Sequence, residues 1–156
     1  MLSSNSTAPA AQFLVPVLSP APADQQESAR VYLIANPLIR ESPAWPGILA
    51  DLAKRIKGAT FATYADLFTS NADYRARWAG VAGQFAGAVV IPRPVGPRLM
   101  LGLAAVREAT DISAAGKPVL IHSRKGLFRW AQADIKIHGK SAGRFRAELV
   151  ITGDAR

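Results

Sequence analysis

Two apolar spacings alternate along this chain. Between Arg30 and Asn36, Val31, Tyr32, Leu33 and Ile34 form a short continuous run rich in β-branched and aromatic residues, the mark of a strand buried on both faces. From Pro43 to Lys57 the period lengthens. Ile48, Leu49, Leu52 and Ile56 fall on one helical face and Gly58 supplies a stop. Thr60–Tyr64 is a second short strand, and Ser70 or Asn71 is placed to cap a second helix. On that helix Tyr74, Trp78, Val81 and Phe85 follow the i, i+4, i+7, i+11 spacing of an apolar stripe. Ala88–Ile91 reads as a third strand, Pro92 to Pro97 as a rigid proline-rich loop, Leu101 to Ala115 as a third helix and Pro118–His122 as a fourth strand.

Strands alternating with helices of these lengths predict parallel pairing through crossover helices. Beyond Trp130 the period drops to two. Asp134–His138 and Arg144–Ile151 alternate polar and apolar around a turn-like Gly139–Gly143, which predicts a hairpin extending one edge of the sheet. The expected fold is thus α/β: a three-layer sandwich around a mainly parallel, doubly wound sheet of four or five strands, with a C-terminal β-hairpin. It forms one domain over residues 29–156. Residues 1–28 are rich in Pro, Ala and Ser, lack Lys and Arg, and carry Pro9, Pro16, Pro20 and Pro22. They read as a flexible arm. The apolar run Phe13–Leu18 looks like the core of a signal peptide but has no basic segment before it.

Composition narrows the function classes. Forty-nine per cent hydrophobic residues and 19% charged ones describe a globular domain with a core, not a disordered chain. The chain has no cysteine, which removes disulfides, thiolate metal ligands and a thiol nucleophile, and fits a cytoplasmic location. No apolar run approaches the ~20 residues of a membrane helix. No phosphate-binding Gly-rich signature follows the first strand, so no nucleotide cofactor is expected. His122 and His138 are too isolated to hold a metal; His122 at a strand end is either structural or an acid–base group. The net charge of +8 is unevenly spread. Arg124, Lys125, Arg129, Lys136, Lys140, Arg144 and Arg146 face a single acid, Asp134. Such a cluster is either a solvated face or a surface for a phosphorylated or polyanionic partner.

Chemistry concentrates around Glu108. Eight residues after it comes Gly116-Lys117-Pro118-Val119, and before it stands Gly102-Leu103. The first strand reads Tyr32-Leu33-Ile34-Ala35-Asn36-Pro37-Leu38-Ile39. Together these stretches resemble the nucleoside 2-deoxyribosyltransferase superfamily, which includes nucleoside-monophosphate N-glycosidases, over roughly residues 30–123. In that superfamily a glutamate within a motif like Gly-Thr-x-x-Glu-x-Gly-x-Ala attacks the anomeric carbon of deoxyribose. The resemblance therefore implies Glu108 as nucleophile, with Tyr32, Asn36 and Gly102 lining a nucleoside site. Asn36 stands where the family carries glycine, and its amide either contacts a ribose hydroxyl or satisfies the turn. Gly87 replaces an aspartate that helps hold the sugar. Arg93 and Arg98 occupy the loop where a base-contacting aspartate is usual, which suits a phosphate-bearing ligand. Read without the family, Glu108 is equally a helix-surface carboxylate paired with Arg107 or Lys117.

Three functions remain in play. The first is cleavage or transfer of the N-glycosidic bond of a deoxynucleoside or its 5′-monophosphate. The second is a non-catalytic nucleotide-binding protein on the same fold. The third is nucleic-acid binding through Arg124, Lys125, Arg129, Lys140 and Arg144, which a continuous basic strip with Phe128 and Trp130 exposed would favour. No metal is expected in any of them, and a homo-oligomer is compatible with all three.

Overall fold

The computed structural model describes residues 29–156. The expectations for residues 1–28, the arm and the Phe13–Leu18 run, lie outside the described residues. The described chain runs β1 (Ala29–Ile34), α1 (Pro37–Arg40), α2 (Trp45–Arg55), β2 (Ala59–Thr63), α3 (Tyr64–Leu67), α4 (Asn71–Ala82), β3 (Gly87–Val90), β4 (Arg93–Val95), β5 (Arg98–Leu101), α5 (Leu103–Ala114), β6 (Val119–Ser123), β7 (Gly126–Arg129), β8 (Ala133–Ile137) and β9 (Ala147–Ile151). Two sheets result. The larger has the order β2-β1-β3-β6-β7, with β2, β1, β3 and β6 parallel and β7 antiparallel at the edge. The smaller is antiparallel, in the order β4-β5-β9-β8.

Side chains alternate across the larger sheet and feed two separate cores. Val31, Leu33, Val89, Ile91 and Leu120 pack with Leu52 of α2, with Ile56 just beyond its end and with Leu127 of β7. Tyr32, Ile34, Ala88, Val90 and Ile121 pack with Trp78 of α4 and with Ala109 and Ile112 of α5. Both faces of the inner parallel strands β1, β3 and β6 are covered, which is why their sequences read as apolar runs, whereas the edge strand β2 is only half-buried. Ser70 caps α4 by accepting a hydrogen bond from the Asp73 amide at 3.1 Å. Tyr74 and Trp78 are buried as the stripe predicts, whereas Val81 is half-buried and Ala82 takes the inward place; the helix ends at Ala82, so Phe85, though buried, lies beyond it and not on the stripe. The indole Nε1 of Trp78 donates to Asp111 at 2.9 Å, tying α4 to α5.

The structure corrects two expectations. Residues 92–97 are not a plain loop. They supply β4 and the tight turn of a hairpin in which Val95 faces Arg98, and Gly96, at φ 59°, adopts the left-handed conformation that the turn requires. Pro94 fits because β4 is an edge strand, where a missing N–H leaves no partner unsatisfied. The C-terminal hairpin, β8 with β9, forms as expected but does not extend the parallel sheet. It joins the β4–β5 hairpin through β5 and β9, pairing Leu99 with Leu149 and Leu101 with Ala147.

Candidate functional site

The first element of the site is the stripe of α5 that faces the sheet. Ala105, Glu108, Ala109 and Ile112 share the i, i+3, i+4, i+7 spacing of one helical face. Glu108 is therefore carried inward with its apolar neighbours. It is 8% exposed, the one charged residue buried among the described residues. The alternative of a surface carboxylate paired with Arg107 or Lys117 is overturned by that burial, and no such ion pair forms.

Opposite Glu108 stands β1. The Tyr32 hydroxyl donates to the Glu108 carboxylate, 3.3 Å from each oxygen. Tyr74, from α4, brings a second buried hydroxyl to the same place. That hydroxyl has no hydrogen-bond partner among the described residues, although it lies within the electrostatic reach of both Glu108 and Arg107. Behind the two tyrosines is an aromatic cluster. Tyr32 packs on Trp78 and Phe85, each with ring centroids 5.3 Å apart, and Tyr74 meets Phe68 edge-on at 5.1 Å. This packing fixes both phenol rings.

Burial dominates the ionisation of the group. It pushes the Glu108 carboxyl above its ordinary value, against the opposing pull of the two tyrosine hydroxyls and the Arg107 guanidinium. Burial and the Glu108 charge push the Tyr74 phenol up to about 12, and the same two causes hold the Tyr32 phenol higher still. Both tyrosines remain hydrogen-bond donors throughout the neutral range.

Glu108 opens onto a cavity of about 490 Å³, within the size range of small-molecule sites. The cavity lies beyond the carboxyl end of β1, where open parallel sheets bind ligands. Tyr32, Asn36, Gly102 and Glu108 all line it, as the sequence led us to expect. Asn36 has a second duty: its side-chain oxygen accepts from the Leu38 amide at 2.8 Å and caps α1, so the turn-satisfying reading holds for that atom. Gly102 begins α5 at a close approach of two chain segments. A Cβ there would stand 3.3 Å from the Arg144 carbonyl oxygen, which explains the glycine.

Arg93 and Arg98 do not line this cavity. They sit exposed on the β4–β5 hairpin and face a neighbouring cleft instead. The cations around the Glu108 cavity are Arg40, Arg75 and Arg107. Sequence reasoning missed all three. Their signal was weak: each is an ordinary helix arginine until the fold places α1, α4 and α5 around one opening. Tyr74 was read only as core, and it is both core and site. Of the basic residues proposed for nucleic acid, Arg124 and Lys125 line the neighbouring cleft, while Arg129 lies half-buried on β7 and Lys140 and Arg144 are exposed before β9. Phe128 is 6% exposed and Trp130 is half-buried, so the pair of exposed rings that would favour that reading does not form at these positions.

His122 pairs with Asp51 at 2.8 Å, and Asp51 also accepts from Arg55 at 2.9 Å. This network crosses from β6 to α2 and lies apart from the Glu108 cavity. Among the described residues no group of three or more potential metal ligands gathers, and no helix is long and apolar enough to cross a membrane. Compared with known protein families, with curated proteins and with solved structures, the chain has no match.

Proposed function

We propose that this protein cleaves or transfers the N-glycosidic bond of a deoxynucleoside or its 5′-monophosphate, with Glu108 as the nucleophile. The observation that carries the reading is a lone buried carboxylate, held by a tyrosine hydroxyl at the mouth of a nucleoside-sized cavity. Among the described residues lining that cavity Glu108 is the only carboxylate. A single carboxylate suits a covalent glycosyl intermediate better than a two-carboxylate acid–base pair. A three-layer arrangement, with helices on both faces of the parallel sheet, belongs to the same reading, as does action in the cytoplasm on a free small molecule.

The reaction proceeds in two steps. A Glu108 oxygen attacks the anomeric carbon as the carbon–nitrogen bond breaks. The bonding pair leaves with the base nitrogen, which takes its proton from solvent. Water then attacks the anomeric carbon of the glycosyl ester, releasing the sugar and restoring the carboxylate; attack by a second base gives transfer instead. Tyr32 orients the carboxylate through its hydrogen bond, and the nearby Tyr74 hydroxyl helps to stabilise its charge before attack. Because burial disfavours the ionised form, the carboxylate gives up an unfavourable charge as the ester forms, and that loss assists the first step. A 5′-phosphate is attracted to Arg40, Arg75 and Arg107 and to the first amides of α5, which no side chain caps.

The test is incubation with a panel of deoxynucleosides and their 5′-monophosphates, with free base detected by chromatography. Base release that disappears in Glu108→Gln supports the reading. Saturable nucleotide binding with no base release, unchanged in Glu108→Gln, replaces it with a non-catalytic nucleotide-binding protein.

A further inference from the structure

A second and larger opening lies beside the first. Its volume is about 1170 Å³. It sits between the carboxyl ends of β3 and β6 and the β4–β5 hairpin, and it meets the Glu108 cavity at Ile39 and Ile91, which line both. Its lining is of two kinds. The aliphatic part includes Leu38, Ile48 and Ile151. The charged part comprises the cations Arg93, Arg98, Arg124 and Lys125 with one carboxylate, Asp154; His122 also lines the cleft.

The four cations are available for a ligand. None makes an ion pair with a carboxylate among the described residues. Arg93 rests over the Phe145 ring at 5.2 Å, which positions its guanidinium without neutralising it. Arg98 is near enough to Glu148 to favour that carboxylate's charge, but the partner of Glu148 is His138, at 2.8 Å. A solvated basic face needs no cavity. Here the charge lines a concave site with apolar walls.

We propose that this cleft binds an organic polyphosphate: two or more linked phosphates on its cations, carrying an apolar or aromatic body against its aliphatic part. Linked phosphates are the ligand chemistry that several guanidinium and ammonium groups recognise together. A nucleic-acid strand fits less well. Arg129, Lys140 and Arg144 do not line the cleft, and Phe128 offers no exposed ring. The proposal does not depend on the activity assigned to Glu108.

The experiment is calorimetric titration of the full-length protein at fixed ionic strength with inorganic tripolyphosphate, with ATP and with a short single-stranded oligonucleotide. Saturable binding of tripolyphosphate is expected, with ATP binding more tightly because its body meets the aliphatic part. The double variant Arg124→Ala/Lys125→Ala weakens both about tenfold or more, and Arg75→Ala, on the first cavity, leaves both unchanged. Three results overturn the proposal: no saturable binding, equal binding in the double variant, or loss of binding in Arg75→Ala, which moves the site to the first cavity. An oligonucleotide that binds more tightly than ATP and responds to the double variant also overturns it, in favour of nucleic acid.

Discussion

The two openings share a wall, an edge of the sheet and a surplus of cations, yet only one of them holds a buried charge. One holds a carboxylate sunk among aromatic rings. The other holds no buried charge and is lined by unpaired cations. The difference comes from which elements close each space. The Glu108 cavity is closed by α4 and α5, whose inward stripes carry the buried side chains. The cationic cleft is closed by a hairpin and strand ends whose long side chains remain in solvent. Placement at the carboxyl edge follows from parallel pairing; the chemistry follows from the covering element.

The sharpest break of this contrast is at Glu108 itself. Glu108→Gln keeps the shape and is expected to reduce base release about a thousandfold or more, measured as initial rate on the best substrate of the panel. If the carboxylate only binds, the rate of any turnover moves little and affinity alone changes.

Next in size is the packing behind the site. Trp78→Ala opens a void between α4 and the sheet and removes the bond to Asp111. A loss of about 3–5 kcal/mol is expected in denaturant melts. A loss below about 1 kcal/mol would mean that the aromatic cluster does not hold the tyrosines in place.

The arginines separate the two openings directly. Arg107→Ala and Arg75→Ala are expected to weaken a 5′-monophosphate about 10- to 100-fold relative to its nucleoside, read as the change in kcat/KM. Arg98→Ala, on the other cleft, leaves that ratio unchanged. The reverse pattern would place the phosphate on the hairpin.

The smallest effect is a stability difference with a defined sign. Burial raises the Glu108 pKa in the folded state, so the folded protein holds that proton more tightly than the unfolded chain. The resulting stability is present below the ordinary value of 4.5 and is lost as pH rises through the elevated one. Glu108→Gln should therefore melt higher than the parent at neutral pH, by on the order of 1 kcal/mol. The gap should close as the pH falls below the ordinary carboxylate range. A parent that is the more stable at neutral pH would show that the tyrosine donors outweigh burial.

The parallel strands and their helices were legible because each carries its own period: a short apolar run for β1, a 3.6-residue stripe for α4. Glu108 was singled out by its spacing to Gly116-Lys117-Pro118-Val119, while its inward place beside Ala105, Ala109 and Ile112 became clear only with the fold. Pairing between distant segments left no such mark. Nothing local tells that Leu99 meets Leu149, or that Pro94 lies in a strand whose free edge tolerates it. β7 is four residues long and follows a tight turn, too short for its period to show. The arginines around the first cavity were invisible for a further reason: three helices contribute one each, and only the assembled fold makes them a group.

Gly102 has a bearing on how substrate size can be adjusted. The start of α5 lies close to Arg144, and a side chain added at Gly102 would meet the Arg144 carbonyl oxygen at 3.3 Å, a contact that the backbone would have to relieve by a small shift. Two positions along, Ala104 and Ala105 face the same cavity with side chains that stop at Cβ. The wall therefore has one crowded position beside two adjustable ones. Redesign toward a smaller nucleoside would start from Ala104 and Ala105, and would leave Gly102 as it is.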